Sequence, residues 1–247
     1  MRFKWLNGYW LTLLLTLSIT LCSLWLANSG RLALYVHPRY IIFTVIMSAL
    51  AVVFIVADMA LRLKTPKAIK HGANIRQIVT SVLCIGVCAG LLIVRPAGLT
   101  SSAAGQRGIN SGALSFNSQS SLADLTDAST AYNQFSIKEW ASLLVQTSDP
   151  KLFSGKPANI TGFVSPTPDN NPNIFYVARF IMTCCAVDAR PVGVPVYQPN
   201  WRSQYKADQW LTVKGAFMPN PEPGTVPIVL DPKTITVTSE PHEPYLY

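Results

Sequence analysis

The sequence predicts a chain in two parts. An α-helical transmembrane region of three helices comes first, followed by a small, mainly β extracytoplasmic domain. Three observations predict this. Three long stretches without a charged residue lie before residue 95, and the basic excess of the chain is confined to that same part. Beyond residue 157, short runs of Val, Ile, Thr and aromatics alternate with Pro, Asn, Asp and Gly clusters, the pattern of strands and turns.

The composition agrees. Of 247 residues, 49% are apolar and only 13% charged, and the mean hydropathy is +0.28. Ordinary soluble domains carry roughly 25% charge. So high an apolar content excludes disorder throughout. The net charge of +8 would by itself point to nucleic acid, but its distribution argues otherwise. Residues 1–95 hold ten Lys and Arg against one acid, Asp58, for +9, whereas residues 96–247 hold ten against eleven, for −1. No nucleic-acid partner is expected.

In the first part (1–95), helices are expected at about 8–27, 40–61 and 77–94. Residues 5–30, 40–57 and 77–94 are uncharged, and a bilayer core needs about 20 predominantly apolar residues. Trp5, Tyr9, Trp10, Trp25, Tyr35 and Tyr40 flank the first two, as interfacial aromatics do. A soluble bundle would need three wholly apolar core helices with almost no acid to solubilise them. Arg2 and Lys4 before an apolar run also resemble a signal peptide. The run is long for one and lacks a clean A-x-A site, so the first helix is read as retained. Asp58 stands four residues before Arg62, close enough on a helix to pair with it.

Basic residues orient the region. With the amino terminus inside, Arg2, Lys4, Arg62, Lys64, Lys67, Lys70 and Arg76 lie inside, and only Arg31, Arg39, Arg95 and Arg107 outside. A multi-pass plasma (inner) membrane protein is expected, amino terminus cytoplasmic and carboxyl-terminal domain outside.

Residues 96–134, rich in Ser, Gly, Asn and Ala, read as a flexible tether. The domain proper (135–247) opens on a helix. Ser136 and Glu139 form a capping box, Phe135 and Trp140 a hydrophobic staple, and Asp149-Pro150 closes the element. Five strands follow, at Ala158–Ser165, Ile174–Cys185, Val192–Tyr197, Trp210–Met218 and Val226–Val237, the last interrupted near Asp231-Pro232. Asp169–Asn173 is a hairpin turn. Five strands in so short a stretch, opening on G-K-x-x-x-I-x-G (Gly155 to Gly162), point to a five-stranded OB-like barrel, with an open sandwich as the alternative. Fold-level analogy licenses no function.

No phosphate-binding, dinucleotide, nucleophile-elbow or H-E-x-x-H motif is present, and the chain is read as non-enzymatic. Cys84 and Cys88, at i and i+4, read as buried packing residues. Cys184 and Cys185 are adjacent on the outer side. In a regular strand their side chains would point to opposite faces, so a disulfide between them is not expected. A soft transition metal or redox site is the sharper alternative to a buried and a part-exposed thiol. Asp188 could add an oxygen and His242, from the tail, a third metal ligand.

The stretch F-Y-V-A-R-F-I-M-T-C-C-A-V-D-A-R-P-V-G-V-P-V (Phe175–Val196), W-L-T-V-K-G (Trp210–Gly215) and the ending Pro227–Tyr247 resemble the YcgQ-type family of proposed bacterial permease subunits. The layout of membrane helices, variable tether and compact domain is similar too. The resemblance implies a partner, a separately encoded polytopic permease in the lipid bilayer, more than a mechanism. The family's pattern carries over at Arg179, Phe180, Cys185, Asp188 and Gly193. Some members have His where Cys184 stands, which suits a metal ligand. Some carry a His-rich loop between the second and third helices, where this chain has only His71. The resulting expectation is a membrane-anchored accessory subunit whose outer domain binds substrate, metal or the permease through Arg179, Cys184, Cys185 and Asp188, with Arg179 holding an acidic group such as Asp188. The alternative is a membrane-anchored extracytoplasmic thiol redox or metal-handling protein.

Overall fold

The computed structural model describes residues 3–64, 72–73, 75–93, 98–111, 132–222, 224 and 226–247. For some of these, Arg62 among them, it describes only the backbone. Arg2, Lys67, Lys70, His71, Arg95 and tether residues 112–131 lie outside the described residues, and the expected Asp58–Arg62 pair lies outside the described side chains. The chain divides into two compact units, Met1–Ala97 and Gly98–Tyr247.

In the first unit, β1 (Phe3–Asn7) leads into α1 (Gly8–Asn28), a 3-10 turn (Arg31–Leu34), α2 (Pro38–Lys64), β2 (Gly72–Ala73) and α3 (Ile75–Ile93). Gly30, at φ 71°, takes the left-handed conformation that ends a helix. Pro38 opens α2, where its missing N–H costs nothing, and His37 Nδ1 accepts from Arg39 N at 3.0 Å. β1 and β2 run antiparallel, Phe3 opposite Ala73 and Asn7 opposite Gly72. This pairing joins the amino end to the segment after α2, a feature without a signal in the hydropathy pattern.

Among the described residues, two helices are long and apolar enough to cross a membrane, at Leu11–Asn28 and Pro38–Leu61. The apolar part of α3, Ile78–Gly90, is shorter. Hydroxyls in these helices bond to their own backbone. Thr16 donates to Thr12 O (3.0 Å), Thr20 to Thr16 O (2.7 Å), Ser23 to Ile19 O (2.9 Å), Thr44 to Tyr40 O (2.9 Å) and Thr80 to Arg76 O (2.8 Å). Such internal bonds leave a helix with no need of water at those groups. α1 packs against both α2 and α3, and Cys22, Leu26 and Leu32 form a small core to which Cys88 adds. None of the α2 apolar window is buried; Ile42, Phe43, Val53 and Phe54 on it are exposed.

The second unit starts with α4 (Ser101–Arg107), inside the stretch expected to be tether. Residues 98–111 instead pack on the β domain. Ser101 N donates to Asp208 Oδ1 at 2.5 Å, and Leu99 N to Tyr245 Oη at 3.1 Å. Asn110, at φ 65°, exchanges two 2.8 Å bonds with the Gly193 backbone through its side-chain amide. A 3-10 turn (Tyr132–Gln134) precedes α5 (Ile137–Gln146), whose capping box forms as the sequence implies: Ser136 N donates to Glu139 Oε2 at 2.8 Å. The staple forms as well, with the Phe135 and Trp140 rings 5.1 Å apart. The short α6 (Pro150–Phe153) is capped by Asp149, which accepts from Lys151 N at 3.0 Å.

A six-stranded mixed sheet follows: β3 (Pro157–Pro166), β4 (Ile174–Ile181), β5 (Arg190–Tyr197), β6 (Trp210–Pro219), β7 (Ile228–Val237) and β8 (Tyr245–Leu246). The strand order is β3-β6-β7-β5-β4-β8, and β3 also pairs with β4. All pairs are antiparallel except β5–β7 and β4–β8. The break at Asp231-Pro232 is a bulge, because register shifts between Lys214–Thr234 and Gly215–Pro232. Proline lacks the N–H a ladder needs. β7 is buried only up to the bulge, at Ile228, Val229 and Leu230. The core gathers Trp140, Phe153, Phe175, Trp201, Phe217 and the aliphatic residues of β3–β7, with Trp140 and Phe217 4.7 Å apart.

Candidate functional site

β4 ends at Ile181 and β5 begins at Arg190, so Cys184 and Cys185 lie in the connecting loop, not in the strand the sequence implied. The run of strand-forming residues from Phe175 to Met182, broken only by Arg179, conceals this end. The loop is turned by Asp188. Its carboxylate accepts from Cys184 N at 2.7 Å, Thr183 N at 3.3 Å and Cys185 N at 3.4 Å, while Asp188 N donates to Cys185 O at 3.1 Å. Three N–H donors on one carboxylate favour its charged form. Burial would raise the Asp188 pKa, yet the Cys184 thiol and these N–H groups outweigh it and hold it below 3.8.

Both thiols are free. Their sulfurs are 3.6 Å apart, so the backbone turn brings both to one side. Cys184 is exposed and Cys185 partly so. The hydrogen bond from Cys184 to the Asp188 carboxylate, with the Cys185 contact second, pushes its pKa up to about 12. A thiol so held resists becoming a thiolate, the form that ligates metal. Among the described residues, no three of His, Cys, Asp and Glu come together in a group able to hold a metal ion. His242 is exposed in the tail and joins no such group with the two cysteines.

Arg179 does not hold Asp188. Its Nε donates to Pro244 O at 3.1 Å, and its Nη2 to Glu243 O at 2.5 Å and Tyr245 O at 3.4 Å. Its guanidinium lies 5.8 Å from the centre of the Trp210 ring. Burial lowers its pKa, and the neighbouring Tyr247 and Glu243 oppose that shift. The role is to fasten the carboxyl-terminal segment beside β4, where β8 pairs in parallel through Phe180–Tyr245 and Ile181–Leu246.

Sequence reasoning missed Arg107 and Asn110. Arg107 Nη1 donates to Ala189 O and, at 3.3 Å, to Ala186 O, and so grips the cysteine loop from α4. Their Ser/Gly-rich surroundings gave no periodic signal. Arg107, Ser111, Thr183, Asp188 and Arg190 line an open cleft of about 600 Å³ beside the loop. It presents two cations, a carboxylate and two hydroxyls, with Val187 and Ala189 adding apolar surface between them.

The match to known families falls on this same unit. Residues 117–247 match the DUF1980 C-terminal domain, a stretch that includes Arg179, the cysteine loop and the tail. No curated protein matches the chain, and no solved structure does. The chain belongs to the family that the DUF1980 C-terminal domain defines.

Proposed function

We propose that the chain is a membrane-anchored accessory subunit of a permease complex, its outer domain meeting substrate or the permease. The observation that carries this is α2: none of its apolar window, Pro38–Leu61, is buried within the chain. A helix with so much apolar surface must face lipid or another membrane protein. The resemblance of Phe175–Val196 to permease-associated proteins favours a polytopic partner.

In this reading α3 is a third span. Its 19 residues extend about 28 Å at 1.5 Å per residue, near the ~30 Å hydrocarbon core. Three spans put the amino end and the segment after α2 on one side, which the β1–β2 pairing supports. The basic bias makes that side cytoplasmic and the outer domain extracytoplasmic. The strand pairing supports an OB-like barrel. Starting from β3, partners run β4, β5, β7, β6 and back to β3, the ring of a five-stranded Greek-key barrel.

A photo-crosslinking amino acid in place of Phe54, which is 72% exposed, tests the reading in native membranes. The expected product is an adduct with a polytopic membrane protein. Adducts with lipid alone from Phe54, Val53 and Phe43 would contradict it.

A further inference from the structure

We propose that Cys184 and Cys185 form a reversible modification site, at which the adjacent thiols close to a vicinal disulfide by exchange with an external disulfide compound. The proposal concerns the loop alone and stands apart from the permease reading. The pair lies in a turn, on one side of the backbone, with its sulfurs 3.6 Å apart. Closing them to the ~2.05 Å of a disulfide requires a movement of about 1.5 Å. The loop has room for it, since Cys184 is exposed and Val187, at its tip, is 85% exposed. Its fastenings, Asp188 and Arg107, hold main-chain groups.

The product would be labile by construction. Adjacent Cα atoms are about 3.8 Å apart, closer than the roughly 4.4 Å at which ordinary disulfides begin. Strained, exposed disulfides have more oxidising potentials and are the readily reduced ones. The bond is therefore a reversible mark, not a staple.

The chemistry balances. Cys185, as thiolate, attacks one sulfur of the external disulfide R–S–S–R; that S–S bond breaks and one R–S⁻ leaves. Cys184 then loses its proton and attacks the Cys185 sulfur of the mixed disulfide. The Cys184–Cys185 bond forms and the second R–S⁻ leaves. Two electrons pass to the reagent, and the two cysteine protons end on the released thiols. The Cys184 sulfur, 3.6 Å from that of Cys185, is within reach to resolve the mixed disulfide.

The test uses the purified full-length chain in detergent, incubated with oxidised glutathione, quenched with iodoacetamide and digested with trypsin. Both cysteines fall in the peptide Phe180–Arg202, because Pro191 protects Arg190 from cleavage. The expected result is loss of two hydrogens from that peptide, no alkylation of either cysteine, and recovery with dithiothreitol. Cys184→Ser should accumulate the glutathione mixed disulfide at Cys185 instead, and Cys185→Ser should form no disulfide within the peptide. A native peptide still alkylated at both positions under excess oxidant would overturn the proposal. So would stable glutathione adducts in the native chain, or a link to a different peptide.

Discussion

Arg179 directs its guanidinium at three carbonyls of the chain's own tail, at Glu243, Pro244 and Tyr245. Hydrogen bonds from a charged donor contribute about 1.5–3 kcal/mol each when partly buried, and they are not additive. Arg179→Ala should therefore destabilise the β domain by about 2–4 kcal/mol in urea unfolding and open the tail to protease. Arg179→Lys, which lacks the planar fork, should lose part of that. A change below about 0.5 kcal/mol for the alanine variant, the size of an ordinary surface substitution, would contradict the clamp. Asp188 yields a pH prediction. Its pKa is lower in the folded loop than in the unfolded chain, so the stability it contributes is full above the unfolded value. That contribution is lost as pH falls through the folded value, below 3.8. Cys184 acts in the opposite sense. Its raised pKa means the loop keeps its contribution up to pH 9.0 and loses it as pH rises toward about 12. Protection of the Cys184 amide, its exchange rate relative to the intrinsic rate at the same pH, should fall at both ends and hold between them, and Asp188→Asn should abolish the acid limb.

At the scale of elements, the bulge in β7 depends on its neighbour in β6. A Cβ on Gly215 would stand 2.0 Å from Asp231 O, and one on Gly162 would stand 2.4 Å from Ala178 O. Both obstacles are backbone, which cannot swing aside. Gly215→Ala should cost about 3 kcal/mol or more, at the upper end of overpacking, measured as a lowered midpoint in chemical unfolding; an unchanged midpoint would contradict the close approach of β6 and β7. The five long strands were legible from Val, Ile and aromatic runs broken by Pro, Asn and Asp, and α5 from its capping box. The end of β4 was not. Met182 to Val187 contains no Gly, Pro or Asn, and the turn is made by one side chain, Asp188, reaching back to three N–H groups. Ser101–Ser111 read as tether because low-complexity composition carries no period, yet Asp208, Gly193 and Tyr245 supply partners that only the tertiary fold brings near. β8 is too short for any pattern; Arg179 makes it a strand.

For the whole molecule, charge and apolarity divide the chain where the contacts do, near residue 97. The +8 is a property of the first unit, and its basic residues cluster at Arg62–Arg76. In the proposed topology that cluster marks the cytoplasmic side of the bilayer. Arg179, Cys184, Cys185 and Asp188 could each be singled out in the sequence. Their division of labour could not be. Arg179 serves the tail, while Asp188 and the thiols form a loop of their own, because β4 directs residue 179 and the loop beyond Ile181 to different neighbours. The account's central claim is that this chain works as the anchored partner of a polytopic permease. The most direct test is affinity purification of the tagged full-length chain from native membranes in mild detergent, with mass spectrometry of what accompanies it. The account predicts a polytopic membrane protein in stable, stoichiometric company with the chain. Recovery of the chain alone, or in the soluble fraction, would contradict it.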